Sequence, residues 1–150
     1  MLKKLDHVGI VVKDLDKALE QLGDMLQLTT ADIEIIEVKD IGVKIALLPI
    51  EGALIELLEP IGTQNRFARH LQEKGEGLFH LSMFATNYDK EISVFREKGY
   101  HLEEECTAQL FKGHTVRLAW LSPEQTTGAW IEIVDIDTLP PEVSGSGEKS

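Results

Sequence analysis

The chain has 150 residues, of which 43 % are hydrophobic and 27 % charged, and its formal net charge is −11. That length suits one compact domain or two fused half-domains sharing a core, and the acidity excludes a nucleic-acid binder, because phosphates demand a basic surface. No apolar run approaches the ~20 residues of a membrane-spanning helix; with Cys106 the only cysteine, an internal disulfide and a thiolate metal cluster are excluded too.

In chain order, Met1-Leu2-Lys3-Lys4 lacks the apolar core of a signal peptide, and a cytoplasmic location is expected. Near-alternating apolar residues over 5–12 predict a strand. Asp14 or Asp16 can then cap a helix whose Leu15, Ala18, Leu19, Leu22 and Leu26 recur at helical spacing. Residues 33–38, 42–48 and 53–58 read as three further strands, punctuated by Gly42 and by Glu51-Gly52. A short amphipathic helix is expected over 65–73, with Phe67, Ala68 and Leu71 on its buried face and His70 on its polar side. Gly75 and Gly77 end it. A strand over 78–85, a helix capped by Asn87, and strands near 101–107, 115–121 and 129–134 complete the pattern. The first half is β-α-β-β-β, and the second half repeats it. From 137 to 150 the Pro- and Gly/Ser-containing stretch reads as a flexible tail.

The repeat is visible in the residues themselves. Leu5-Asp6-His7-Val8 returns as Leu78-Phe79-His80-Leu81, a shift of 80 − 7 = 73, and Ile55-Glu56-Leu57-Leu58-Glu59 returns as Ile131-Glu132-Ile133-Val134-Asp135, a shift of 132 − 56 = 76. Asp16-Lys17 matches Asp89-Lys90 at the 73-residue shift as well. A single histidine is more often a hydrogen-bonded core residue, and a single glutamate in an apolar strand more often lies at an exposed edge. Their recurrence at matched positions favours a shared purpose. His7, Glu56, His80 and Glu132 form a two-histidine, two-carboxylate set suited to a first-row divalent ion such as Zn, Co, Ni or Mn. Four such ligands around a six-coordinate ion leave positions for a reactant. His101 and His114 border turns or strand ends, and Cys106 reads as a small strand residue. No phosphate-binding glycine fingerprint is present.

Several stretches resemble the vicinal oxygen chelate (glyoxalase/bleomycin-resistance) superfamily over roughly residues 4–135. They are Leu5-Asp6-His7-Val8-Gly9-Ile10, Ile55-Glu56-Leu57-Leu58-Glu59-Pro60, the run from Phe67 through Lys74-Gly75-Glu76-Gly77-Leu78-Phe79-His80, and Gly128-Ala129-Trp130-Ile131-Glu132. Within it, the Glu-Pro ending and the Lys-Gly-Glu-Gly-Leu stretch look most like the methylmalonyl-CoA epimerase branch. The resemblance implies an α+β fold of two tandem βαβββ modules forming a curled mixed sheet around a metal site. It implies a single domain over 1–136, with modules of about 1–60 and 76–136 joined by a short helix. It implies that His7, Glu56, His80 and Glu132 bind a divalent ion, that Glu132 doubles as a catalytic acid–base group, and that the protein works as a homodimer. The expected activity is epimerisation of a 2-methyl-branched acyl-CoA through an enolate. The alternatives are a glyoxalase I-type lactoylglutathione lyase and a metal-free bleomycin-resistance-like binding protein. The expected partner is a small thioester or thiol adduct, without nucleic acid or membrane. Where some epimerases carry a second catalytic glutamate after the Gly-Val pair, this chain has Lys44 and Ile45. Arg66, Arg69, Lys74, Lys112 and Arg117 are the cations available to an anionic substrate, and solvated surface charge is the simpler account of each.

Overall fold

A computed structural model describes residues 2–110 and 114–140 of the chain. Among them are eight strands and three α-helices, in the order β1 (Leu2–Val11), α1 (Leu15–Leu26), β2 (Glu34–Val38), β3 (Val43–Ile50), β4 (Ala53–Pro60), α2 (Arg66–Lys74), β5 (Gly77–Ala85), α3 (Tyr88–Glu97), β6 (Leu102–Leu110), β7 (His114–Leu121) and β8 (Trp130–Asp135). The predicted β-α-β-β-β order is therefore present twice, with α2 linking the copies. No helix among the described residues is long and apolar enough to cross a membrane.

By density of contacts the chain divides into two compact units. One runs Asp6–His80; the other comprises the described residues before Asp6 and after His80. In the first, the strands lie side by side as β2-β3-β4-β1. β1 and β4 are parallel, while β2–β3 and β3–β4 are antiparallel. In the second unit the order is β6-β7-β8-β5, the same path through the repeated elements. That match shows the internal duplication in the pairing as well as in the motifs.

Each unit packs one helix on one sheet face. In the first, Asp14 caps α1 by accepting from the Lys17 amide at 2.9 Å, which decides between the two possible caps. The stripe of Ala18, Leu19, Leu22 and Leu26 lies on a buried cluster of Val12, Leu15, Ala46, Leu48 and Leu57. Glu59 helps to hold the helix there, because its Oε2 accepts from the Leu15 amide at 2.6 Å, and a carboxylate suits the positive end of a helix. Fully burying each of these leucines contributes ~1.5–3 kcal/mol. In the second unit Asn87 caps α3, and Tyr88 and Ile92 pack with Ala85, Ala119, Leu121 and Ile133. Because side chains alternate along a strand, residues 55 and 57 face α1, and 54, 56 and 58 face the other way. The opposite sheet face therefore carries Glu56.

Two details depart from the sequence reading. His70 is not on a purely polar helix side: it is half-buried, its ring 5.3 Å from that of Phe79 in an edge-on contact. β5 begins beside α2 and covers that side of a helix whose own periodicity gives no sign of it. Residues 137–140, read as the start of a tail, begin with a turn over Ile136–Thr138, and Leu139 is buried; residues 141–150 lie outside the described residues.

Candidate metal centre

Parallel pairing of β1 and β4 sets His7 opposite Leu54 and Gly9 opposite Glu56. His7 and Glu56 therefore project from one face of adjacent strands. His80, from the start of β5, brings its ring over Gly9, where a Cβ on residue 9 would lie 2.2 Å from His80 Cε1 and Nδ1. The result is a triangle of donor atoms. His7 Nε2 is 2.7 Å from His80 Nε2 and 3.4 Å from Glu56 Oε2, and His80 Nε2 is 3.3 Å from the same oxygen. His7 and Glu56 are each only 12 % exposed, and His80 is 3 % exposed.

Asp6 prepares His7 for this role. His7 Nδ1 donates to Asp6 Oδ2 at 2.8 Å, which fixes the tautomer and directs the Nε2 lone pair at the other two donors. Burial drives His80 down to about 4, with Glu56 pulling upward and His7 and Arg66 adding to the fall. Its imidazole is therefore neutral near pH 7, the form that ligates metals. Burial opposes the charge on Glu56, but His7 and His80 beside it outweigh that and hold its carboxyl below the ordinary range. Edges of 2.7, 3.3 and 3.4 Å give a circumradius of about 1.8 Å, inside the ~2.0–2.2 Å reach of Zn–N and Zn–O bonds. One divalent ion could be held by all three atoms. The donor chemistry and spacing both fit a divalent cation.

Glu132, the fourth residue of the predicted set, lies on β8 in the second unit, opposite Trp120 of β7 and 7 % exposed. Of the predicted ligands, then, the first unit gathers His7, Glu56 and His80 within itself. Sequence reasoning missed Asp6 and Gly9. Asp6 is a chain neighbour of His7, and Gly9 has no side chain to notice.

The remaining residues have other placements. Lys44 faces α1, its Nζ 4.0 Å from Asp16 Oδ1, and Ile45 lies on the face that carries Glu56. Arg117 is not simply solvated. Its Nε and Nη2 donate to Asp135 Oδ2 at 2.9 and 2.6 Å, its Nη1 donates to Asp89 at 2.9 Å, and its guanidinium carbon lies 4.3 Å from the Tyr88 ring centre. Two guanidinium donors on one carboxylate oxygen, with an aromatic face below them, make this arginine a structural clasp. Lys112 lies outside the described residues. Cys106 is a half-buried residue of β6.

Residues 6–117 match the family model of the glyoxalase/bleomycin resistance protein/dioxygenase superfamily. The chain belongs to this superfamily. The Bacillus subtilis protein YqjC, described as uncharacterized, is 24 % identical over 134 residues, which cover 89 % of this chain and 93 % of YqjC. The crystal structure of methylmalonyl-CoA epimerase from Mycobacterium tuberculosis superposes with a TM-score of 0.78 at 28 % identity, covering 96 % of this chain and 93 % of that one. A variant of the Streptomyces coelicolor methylmalonyl-CoA epimerase in complex with 2-nitronate-propionyl-CoA superposes with a TM-score of 0.77 at 25 % identity, covering 90 % and 98 %. The vicinal oxygen chelate fold and α+β class expected from the sequence are those of the chain. Its structural neighbours include epimerases holding a small acyl-CoA ligand.

Proposed function

We propose that this chain is a metal-dependent epimerase that interconverts the stereoisomers of a 2-methyl-branched acyl-CoA such as methylmalonyl-CoA. The observation that carries the reading is the buried His7–Glu56–His80 triangle, spaced for one divalent ion, in a chain similar to methylmalonyl-CoA epimerases over nearly its whole length. His7, Glu56 and His80 hold the ion, and Glu132 is the fourth ligand. Its support is its position: it occupies in the second copy the place that Glu56 occupies in the first, and it is as deeply buried. A carboxylate in such a setting is costly unless it is paired or ligated.

A bound divalent ion supplies Lewis-acid stabilisation of charge on a thioester oxygen. The protein supplies the remainder. Asp6 keeps the His7 lone pair aimed inward, burial keeps His80 unprotonated, and Glu56 remains an anion. Glu132 exchanges the proton at the carbon next to the thioester carbonyl on one face of the substrate. Positioned acid–base groups of this kind contribute ~10²–10⁴-fold to rate.

Incubation with methylmalonyl-CoA in deuterated water tests the proposal. Metal-loaded protein is expected to place deuterium at the α-carbon and to equilibrate the two epimers. If metal is bound but neither occurs, the reading fails, and proton transfer on a thiol adduct becomes the reaction to assay.

A further inference from the structure

Epimerisation removes a proton from one face of a carbon and returns one to the opposite face, so it needs two acid–base groups on two sides. We propose that Glu34 is the second of them; the inference rests on the epimerase reading above.

The argument is one of register. Glu34 of β2 is directly opposite Leu47 of β3, Leu47 is directly opposite Glu56 of β4, and Glu56 is directly opposite Gly9 of β1. Residues directly opposite one another project to the same side of a sheet. Glu34, Leu47 and Glu56 therefore form one row across the face on which His7 and the His80 ring stand. Neighbouring strands are ~4.7–4.9 Å apart, so the backbones of Glu34 and Glu56 are separated by about 10 Å. That gap leaves room for a reacting carbon between the donor atoms on β4 and a carboxylate reaching in from β2. A base needs its heavy atom within only ~2.6–3.2 Å of the group it serves, directly or through one water.

The rest of that face removes the competitors. On β2 and β3 its other positions are Ile36, Val38, Val43, Ile45, Leu47 and Pro49, none able to carry a proton. Lys44 lies on the opposite face beside Asp16. Ile45, which stands after the Gly-Val pair, is opposite Ile36, two residues along β2 from Glu34. A carboxylate at 34 is thus a diagonal neighbour of the position at 45, within the ~7–8 Å reach of such pairs. Glu34 is exposed, so its proton can exchange with solvent between turnovers.

The step balances without a co-reactant. With Glu34 ionised, its oxygen takes the α-proton, the electron pair of the broken C–H bond passes into the enolate, and the other acid–base group delivers its own proton to the opposite face. In the reverse direction Glu34 begins protonated and is the donor.

The two epimers of methylmalonyl-CoA, offered separately in deuterated water to metal-loaded wild-type protein and to Glu34→Gln, read each half of this cycle. Interconversion is expected to fall ~10²–10⁴-fold in the variant, while one epimer alone still gains α-deuterium with its configuration retained. One limb of the kcat/KM profile against pH is expected to disappear. Metal content and melting temperature should stay at wild-type values, since the side chain is exposed. The inference is overturned if Glu34→Gln interconverts the epimers at the wild-type rate, or if exchange into both epimers is lost together. A wild-type protein that labels neither epimer overturns the epimerase reading itself, and the inference with it, before any variant is needed.

Discussion

Replacing Gly9 with alanine adds one methyl group to the chain and should dismantle the metal centre. The added Cβ would lie 2.2 Å from two atoms of the His80 ring and 2.9 Å from His80 Nε2. Carbon atoms in contact settle at ~3.5–4.0 Å, so the ring must retreat by at least about 3.5 − 2.2 = 1.3 Å. It has little space to do so. His80 is buried, and its ring is held edge-on by His7 at 4.9 Å and Phe79 at 5.6 Å. Metal sites tolerate only ~0.2 Å of error in ligand distance. Disturbing an orienting group alone typically costs 10–100-fold in metal affinity, and moving a ligand by an ångström should cost at least the upper end of that range, about 2.7 kcal/mol. The fold itself should suffer less. Gly9 does not have a positive φ, so alanine fits the backbone there, and overpacking of ~1–3 kcal/mol is offset in part by the ~0.5–1 kcal/mol that alanine contributes over glycine in a strand. The assay is a competitive Zn²⁺ titration beside a thermal melt. A Gly9→Ala protein that binds one equivalent of metal with wild-type affinity would refute the reasoning, because His80 could not then be both over residue 9 and a ligand.

Three further outcomes follow from the same geometry. Asp6→Asn should weaken metal binding by roughly 10–100-fold without lowering the melting temperature appreciably, since the substitution frees the His7 tautomer but leaves its packing; equal affinity in the two proteins would remove Asp6 from its orienting role. Arg117→Met should lower stability by about 2 kcal/mol in chemical denaturation, because Asp135 is 5 % exposed and loses a forked charged partner; unchanged stability would show that the clasp is idle. Burial, with Glu105 next, pushes the Tyr88 phenol up to about 12 against the opposing Arg117. A raised value means that the folded state keeps a proton the unfolded chain releases near ~10, so this contribution to stability is whole below pH ~10 and is lost as pH rises through the folded value. Subtracting the alkaline absorbance titration of Tyr88→Phe from that of the wild type should place the Tyr88 phenolate late, and a Tyr88 transition near pH 10 would contradict it.

The elements were legible because their periodicities are clean. The helical stripe of Leu15, Ala18, Leu19, Leu22 and Leu26 has one buried side, and the strands are punctuated by residues whose turns are visible as letters, such as Gly42 with its φ of +67°. Boundaries were less so: β3 continues to Ile50 because Ile50 pairs with Ala53 across the Glu51-Gly52 turn, a tertiary fact. The four proposed ligands could be picked out because each of the two motifs that carry them occurs twice. What stayed hidden needs a neighbour from another strand to become meaningful. Glu34 looks like any solvated edge residue until the register aligns it with Glu56. His70 looks polar until Phe79 arrives beside it. Gly9 carries no signal except the ring that lies over it.

Gly9 also shows how far the duplication reaches. The 73-residue shift that carries His7 to His80 carries Gly9 to Ser82, since 82 − 9 = 73. Position 9 must lack a side chain because the His80 ring fills that volume, yet position 82 holds a hydroxymethyl group, fully buried, whose oxygen has no hydrogen-bond partner among the described residues. The two copies therefore repeat the donor types and diverge in the residues around them. A ligand set constrains only the atoms that grip the ion, and selection on metal binding leaves the flanking positions free. The row that carries Glu34 is not one of the divergent places. Glu104 of β6 is directly opposite Trp120 of β7, and Trp120 is directly opposite Glu132 of β8, as Glu34, Leu47 and Glu56 are aligned in the first copy.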